Sequence, residues 1–327
     1  MNEYDAVVFG IANPDIVVYP PEGIKLTYSR LTLSDKRVIR PGGPGGIVAI
    51  ALARLGLKTC FIGNIGYDIF GRFMEEELKQ FGVDTSHAMV YSGEEIFTIS
   101  IVDEKGEGGT MIAAPPTKPF FHSSSDMMSH FKKIPKGRIF YLGHWFWPYL
   151  NLFEIEDVTK LEILRSIKER GFSIVLDINY KVKEDPSRDD VNELINALKH
   201  VDILLPNERD AKIIVKSGSI EKIARTLLKF GPKIIGLKLG DKGCYVASIE
   251  ASAYVPAFKV KVEDTAGAGE VFGAAFTYGW LKGWDIKKIG EFANAASAYY
   301  ISHAKPKEKF PTSKQVLKFL EKRKHSL

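Results

Sequence analysis

Val262-Glu-Asp-Thr-Ala-Gly-Ala-Gly-Glu-Val-Phe-Gly-Ala-Ala-Phe276 decides how this chain is read. Its pattern is a strand end, a glycine-rich turn and the first turns of a helix. Asp264 and Thr265 are turn and N-cap types. Gly267 and Gly269 allow the backbone to approach a bulky anion. Amides at such a helix start, together with the positive end of the helix dipole, suit a phosphate. Glu270 adds a carboxylate where negative charge would collect. For binding alone that is a poor arrangement, because like charges repel. It makes sense for a proton acceptor, or an organiser of water and metal, serving a hydroxyl that attacks phosphorus. The same letters also fit a plain helix start, with a dipole-friendly acid and small residues (Gly269, Gly273, Ala274) for close packing.

Working outward, Ala6–Gly10 is a short apolar run ending in glycine, the pattern of a buried parallel strand. Asn13-Pro-Asp15 follows where open α/β sheets carry ligands. Asp15 there either grips a substrate hydroxyl or closes an Asx turn. Pro41-Gly-Gly-Pro-Gly-Gly46 opens a helix over Ile47–Leu55, closed by Gly56. Gly42 and Gly43 permit close approach, to a polyol or simply to neighbouring backbone. The run fails as a dinucleotide fingerprint, since Pro44 intrudes and no acid stands at the required distance.

Later strands are expected at Ile139–Leu142, Ser173–Asp177, Ile203–Leu205, Lys233–Leu239 and Cys244–Ala247. Helices are expected near Asp68–Phe81, Lys160–Arg170, Asp190–Lys199, Asn207–Val215, Ile220–Phe230, Ala268–Leu281, Ile286–Ile301 and Ser313–Lys324. This alternation predicts an α/β fold: a doubly wound, mostly parallel sheet with helices on both faces. Two inserts, 16–40 and 91–114, alternate with a shorter period and read as antiparallel strands. They are expected to pair into a small β lid, and segments 1–15, 41–90 and 115–327 to form the α/β body.

The 327 residues carry 45 basic and 40 acidic side chains, a surplus too small and too scattered to argue for a nucleic-acid partner. No apolar run is long enough to span a membrane, and the start, Met-Asn-Glu-Tyr-Asp, lacks a secretion pattern. Cys60 and Cys244 lie in apolar runs as core-filling free thiols, which fits a reducing cytoplasm. The run Phe140–Tyr149 is rich in rings that either wall a pocket or fill core, and His144 within it has no partner pattern for metal binding.

Taken in order, these blocks resemble the ribokinase-like (PfkB) carbohydrate kinase family almost end to end. Pro41-Gly-Gly43 to Gly56 is similar to its N-terminal signature, and Gly63-Asn-Ile-Gly66 with Asp68, Phe70-Gly71 and Gly82-Val-Asp84 to its next block. Asp177-Ile-Asn-Tyr-Lys181 resembles an Asp-Pro-Asn-Tyr-Arg run. Asn207 to Asp210 falls on Asn-x-x-Glu, and Asp264 to Glu270 on Asp-Thr-x-Gly-Ala-Gly-Asp.

The resemblance implies ATP-dependent phosphorylation of a sugar-like hydroxyl with Mg²⁺, under a β lid that often forms the homodimer contact. It implies substrate contacts at Asp15, Gly42 and Gly43, an anion hole at Gly267, Ala268 and Gly269, and Glu270 as general base. It further implies metal waters at Asn207 and Asp210, and a nucleotide edge at Asn207, Lys238, Gly240, Gly243 and Asn294. It leaves room for a monovalent cation beside Asp264.

The sequence departs from the family pattern three times. Glu270 replaces the usual Asp and is longer by one methylene, roughly 1.5 Å. Asp210 replaces Glu. Ile47 stands where an asparagine would meet sugar hydroxyls. A nucleoside kinase and a non-catalytic binder of the same fold are the rival expectations.

Overall fold

The computed structural model describes residues 3–19, 36–102, 109–114, 121, 123–145, 160–180 and 186–324. Strand β1 (Tyr4–Phe9) lies near one edge of an eight-stranded sheet, paired in parallel with β4 (Thr59–Phe61) and β9 (Gly137–Leu142). The parallel run continues through β10 (Ser173–Leu176), β11 (Ile203–Leu204) and β12 (Ile234–Lys238). It then turns antiparallel through β13 (Cys244–Ser248) and β14 (Ser252–Val255), giving the order β14-β13-β12-β11-β10-β9-β1-β4.

The strands are nearly all apolar because both faces are covered. In β1, Ala6 and Val8 pack into one core and Val7 and Phe9 into the other. The first core takes residues from helices α1 (Pro44–Leu55), α2 (Ile69–Gln80), α8 (Ala268–Leu281) and α9 (Ile286–Ile301). The second takes residues from α3 (Ser124–Lys133), α4 (Lys160–Glu169), α5 (Arg188–Ala197), α6 (Glu208–Val215) and α7 (Ile220–Lys229). Each fully buried valine or phenylalanine of this kind contributes about 1.5–3 kcal/mol. Short α10 (Pro306–Lys309) and α11 (Ser313–Lys324) close the chain.

Most elements stand where the residue pattern puts them, with three informative differences. Helix α1 begins at Pro44 rather than Ile47, because proline suits the first helical position and Gly43, at φ 73°, supplies the turn into it. Helix α3 was not expected. Its N-cap Ser123 accepts from the Asp126 amide, but its stripe is only Met127 and Phe131. Asp15 is not in a loop: Asn13–Tyr19 is strand β2.

Strands β2, β3 (Lys36–Gly42), β7 (Phe97–Val102) and β8 (Gly109–Ala114) form a separate sheet in the order β3-β2-β7-β8. Asp15 is in register with Arg40 on one side and Thr98 on the other. The next row across all four strands is Ile39, Ile16, Ile99 and Ile112. A two-stranded pairing of β5 (Asn64–Gly66) with β6 (Met89–Tyr91) stands beside it. Among the described residues no helix is long and apolar enough to cross a membrane.

Candidate active site

The parallel strands end toward a cleft of about 460 Å³. Helix α8 points its N-terminus there. Gly267 caps it at φ 90°, a left-handed conformation that costs an L side chain roughly 1–2 kcal/mol. The Ala268 amide is bonded to the Thr265 carbonyl at 3.1 Å, so that donor is committed to the turn. Among the described residues, no protein acceptor is recorded for the amides of Gly267 and Gly269. Glu270, in the first turn, is only 6% exposed and lines the cleft. Its Oε1 accepts from Asn179 Nδ2 at 3.0 Å. One turn on, a Cβ at Gly273 would lie 2.2 Å from the Tyr141 hydroxyl, so the small residue lets the helix sit down on β9.

A buried ionic chain joins this turn to the lid. Asp264 Oδ1 accepts the Ala266 amide at 3.0 Å and so shapes the approach to Gly267. Its Oδ2 is bonded to Arg40 Nη1 and, at 2.6 Å, to Lys309 Nζ. Burial works to raise the Asp264 carboxyl, but Arg40 and Lys309 hold it below the usual carboxylate range. The other edge of Arg40 reaches Asp15 Oδ2 through Nε at 3.0 Å and Nη2 at 2.8 Å. Ser100 donates to Asp15 Oδ1 at 2.7 Å. Asp15, Gly42 and Gly43 all line the same cleft as Glu270 and Gly267.

A model of the pfkB family of carbohydrate kinases matches residues 4–313. The chain belongs to that family. The kinase is 28% identical over 265 residues to a sugar kinase of Archaeoglobus fulgidus, covering 81% of this chain and 99% of that one. It is 26% identical over 291 residues to the 5-dehydro-2-deoxygluconokinase of Clostridium perfringens, covering 86% and 84%. Among solved structures it matches the Arabidopsis thaliana ribokinase complexed with ribose and ATP. That match has a TM-score of 0.73 and 24% identity over 98% of this chain and 99% of that one.

Lys238, Asp177 and the Asn207–Asp210 pair lie at or just past the ends of the neighbouring parallel strands β12, β10 and β11. Lys238, at the end of β12, bonds both oxygens of Asp177 at 2.7 and 2.9 Å. Its Nζ stands 3.6 Å from where a Cβ on Gly269 would lie. Burial pushes Asp177 up to about 6 against the pull of Lys238, and Glu270 adds repulsion. Asn207 and Asp210 close a capping box: each side chain accepts the other's backbone amide, at 3.2 and 2.8 Å. Asp210 also accepts the Tyr180 amide at 3.3 Å, and burial pushes its carboxyl up.

Of the other expected residues, Asn294 and Gly243 also help to hold the frame. Asn294 gives its amide to the carbonyls of Val255 and Pro256 at 3.0 and 3.1 Å, tying α9 to the end of β14. Gly243, at φ 102°, leaves no room for a Cβ, which would lie 2.1 Å from the Val255 carbonyl; Gly240, at φ 63°, faces open space. Gly43 is likewise pressed against the Ile11 carbonyl. Ile47 lines the cleft as an apolar wall, and His144 lines it too. Trp145 is core, and residues 146–149 of the ring-rich run lie outside the described residues.

Sequence reasoning missed Arg40, Lys309 and the contact of Asn179 with Glu270. Arg40 offered one signal, a charge directly before Pro41-Gly-Gly43. Lys309 offered none, because its partner is 45 residues away in sequence.

Proposed function

We propose that this kinase moves the γ-phosphoryl group of ATP onto a hydroxyl of a small sugar or sugar-like polyol, with Glu270 as general base. The observation that carries this reading is one helix mouth holding three features together. These are a nearly buried carboxylate, two amides without a protein acceptor among the described residues, and an adjoining cleft bordered by Asp15, Gly42 and Gly43. In the proposed step the acceptor oxygen attacks the γ-phosphorus and its proton passes to Glu270. The bond from that phosphorus to the bridging oxygen breaks, and ADP leaves with the electron pair. The amides of Gly267 and Gly269, with the ammonium of Lys238 nearby, stabilise the charge that gathers on the phosphoryl oxygens.

Mg²⁺, when bound with ATP, neutralises phosphate charge. Among the described residues no group of three or more His, Cys, Asp or Glu forms a cage for a metal. Asn207 and Asp210, joined in their capping box, would be outer partners of an ion that keeps most of its waters. A solved E. coli protein of the same fold, 19% identical with TM-score 0.79, carries ATP and Mg²⁺. A monovalent cation at Asp264 would compete with Lys309 for the same oxygen.

The isoleucine row of the lid supports a homodimer through that face, because Ile39 and Ile112 are 53% and 54% exposed. Free, buried Cys60 and Cys244 support a reducing compartment such as the cytoplasm.

The test is ADP release with Mg²⁺-ATP over ketoses, aldoses, sugar acids, inositols and nucleosides. Turnover with a sugar or polyol is the expected result. Turnover with nucleosides alone would replace the acceptor class, and none at all would defeat the proposal. The Glu270→Gln variant is expected to lose about 10²–10⁴-fold in kcat.

A further inference from the structure

The backbone turns left-handed at a residue that has no part in the step above. Asn179 has φ 49°, and among the described residues only Lys216 shares that property outside glycine. Asparagine tolerates this region better than most side chains, but it is an uncommon choice. Here it aims the amide into the cleft, where Nδ2 donates to Glu270 Oε1 at 3.0 Å. A carboxylate only accepts hydrogen bonds, so the amide nitrogen must face it.

The platform under Asn179 is fixed at each neighbouring residue. Asp177 is clamped by Lys238 at 2.7 and 2.9 Å. The Ile178 carbonyl accepts the Trp145 amide at 3.3 Å. The Tyr180 amide is held by Asp210 at 3.3 Å. Asn179 itself is 9% exposed.

We propose that Asn179 is the positioning residue for Glu270, fixing a side chain that is one methylene longer than aspartate. Glutamate has one more rotatable bond than aspartate, so its carboxylate has more places to go. A rigid donor selects one of them. The proposal rests on the reading of Glu270 as base. It gives Asp210 a second consequence: by holding the Tyr180 amide, Asp210 steadies the loop that aims Asn179.

The test uses the full chain, Mg²⁺-ATP and the acceptor that turns over fastest in the screen above. Asn179→Gly keeps the left-handed backbone and deletes the amide. It is expected to lower kcat by about 10- to 100-fold, the loss expected of a base displaced by roughly 1 Å. The KM values for acceptor and ATP should stay within about threefold, because the bond bears on the transition state and not on binding. Asn179→Ala should lose kcat equally and also lower Tm, since alanine strains that backbone.

In a Glu270→Asp background the shorter carboxylate draws back from the amide. Asn179→Gly should then change kcat by less than about twofold. An unchanged kcat in Asn179→Gly, or equal losses in both backgrounds, overturns the proposal. Glu270→Gln separates the two readings. If it stays active, the base assignment fails, and with it the role of Asn179. If it is inactive while Asn179→Gly is not, only the role of Asn179 fails.

Discussion

Arg40, on a lid strand, is bonded to Asp264, on the turn before helix α8, across 224 residues of sequence. The same guanidinium grips Asp15 with its other edge. Two acids and two bases are thus buried together, with Lys309 as the fourth member at 1% exposure. Such a set adds little net stability when complete, but removing one member strands a buried charge.

Arg40→Met is therefore expected to cost about 3–5 kcal/mol in urea unfolding, since it leaves Asp15 without its main cation and Asp264 with Lys309 alone. Arg40→Lys keeps the charge but loses the planar fork that spans two carboxylates, and should recover only part of that loss. Equal stability of the lysine variant and the unaltered chain would show that charge, not geometry, holds the lid strand down.

Gly267→Ala tests the anion turn. A Cβ there would lie 2.7 Å from the Tyr300 hydroxyl and 3.1 Å from Ile47 Cδ1, on a backbone at φ 90°. The expected stability cost is about 1–2 kcal/mol from the left-handed strain alone. If the turn swings its amide off target, kcat should fall by about 10²-fold, the effect of losing one such donor. Stopped-turnover assays on the folded variant, with Tm measured in parallel, separate the two effects.

Glu95 gives a pH signature unconnected with catalysis. It is buried where β7 leaves the body, and accepts the amides of Gly66 at 2.7 Å and Ile96 at 2.9 Å. Burial outweighs those bonds and pushes it from 4.5 up to about 8. The folded chain therefore keeps a proton that the unfolded chain has released, so stability falls as pH rises between those values. Relative to the unaltered chain, Glu95→Gln should gain stability steadily over that window. A difference that does not vary with pH would mean Glu95 is already ionised in the fold.

Ile39→Glu combined with Ile112→Glu tests the outer lid face. Both positions are more than half exposed and in the same cross-strand row, so the change adds no buried charge within one chain. Sedimentation should shift from dimer to monomer while Tm measured on the monomer stays within a few degrees. A double variant that sediments like the unaltered chain would place any dimer elsewhere.

The architecture was readable from sequence because periodicity and turn residues are local. Runs such as Ile139–Leu142 and the capped helices at Asp68, Asn207 and Asp285 announce themselves within a few residues. The glycine turn at Gly267 was readable for the same reason. Arg40, Lys309 and Asn179 were not, since each acts on a residue at least 45 positions away and only folding brings them together. The residues around Asp15 leave it between a substrate grip and an Asx turn in a loop, whereas it stands in a strand. The segment from Asn13 to Tyr19 has Pro14 as its second residue, which disfavours a strand interior and is tolerated near a strand's start.

Placing Asp15 on a lid strand has an evolutionary consequence. Asp15 and Thr98 belong to one small sheet, whereas Glu270, Gly267 and Lys238 belong to the body. Under the proposed function, mutations in a few short strands would retune which molecule is accepted and leave the body residues assigned to phosphate untouched. A lineage built this way can explore new diets without relearning its chemistry.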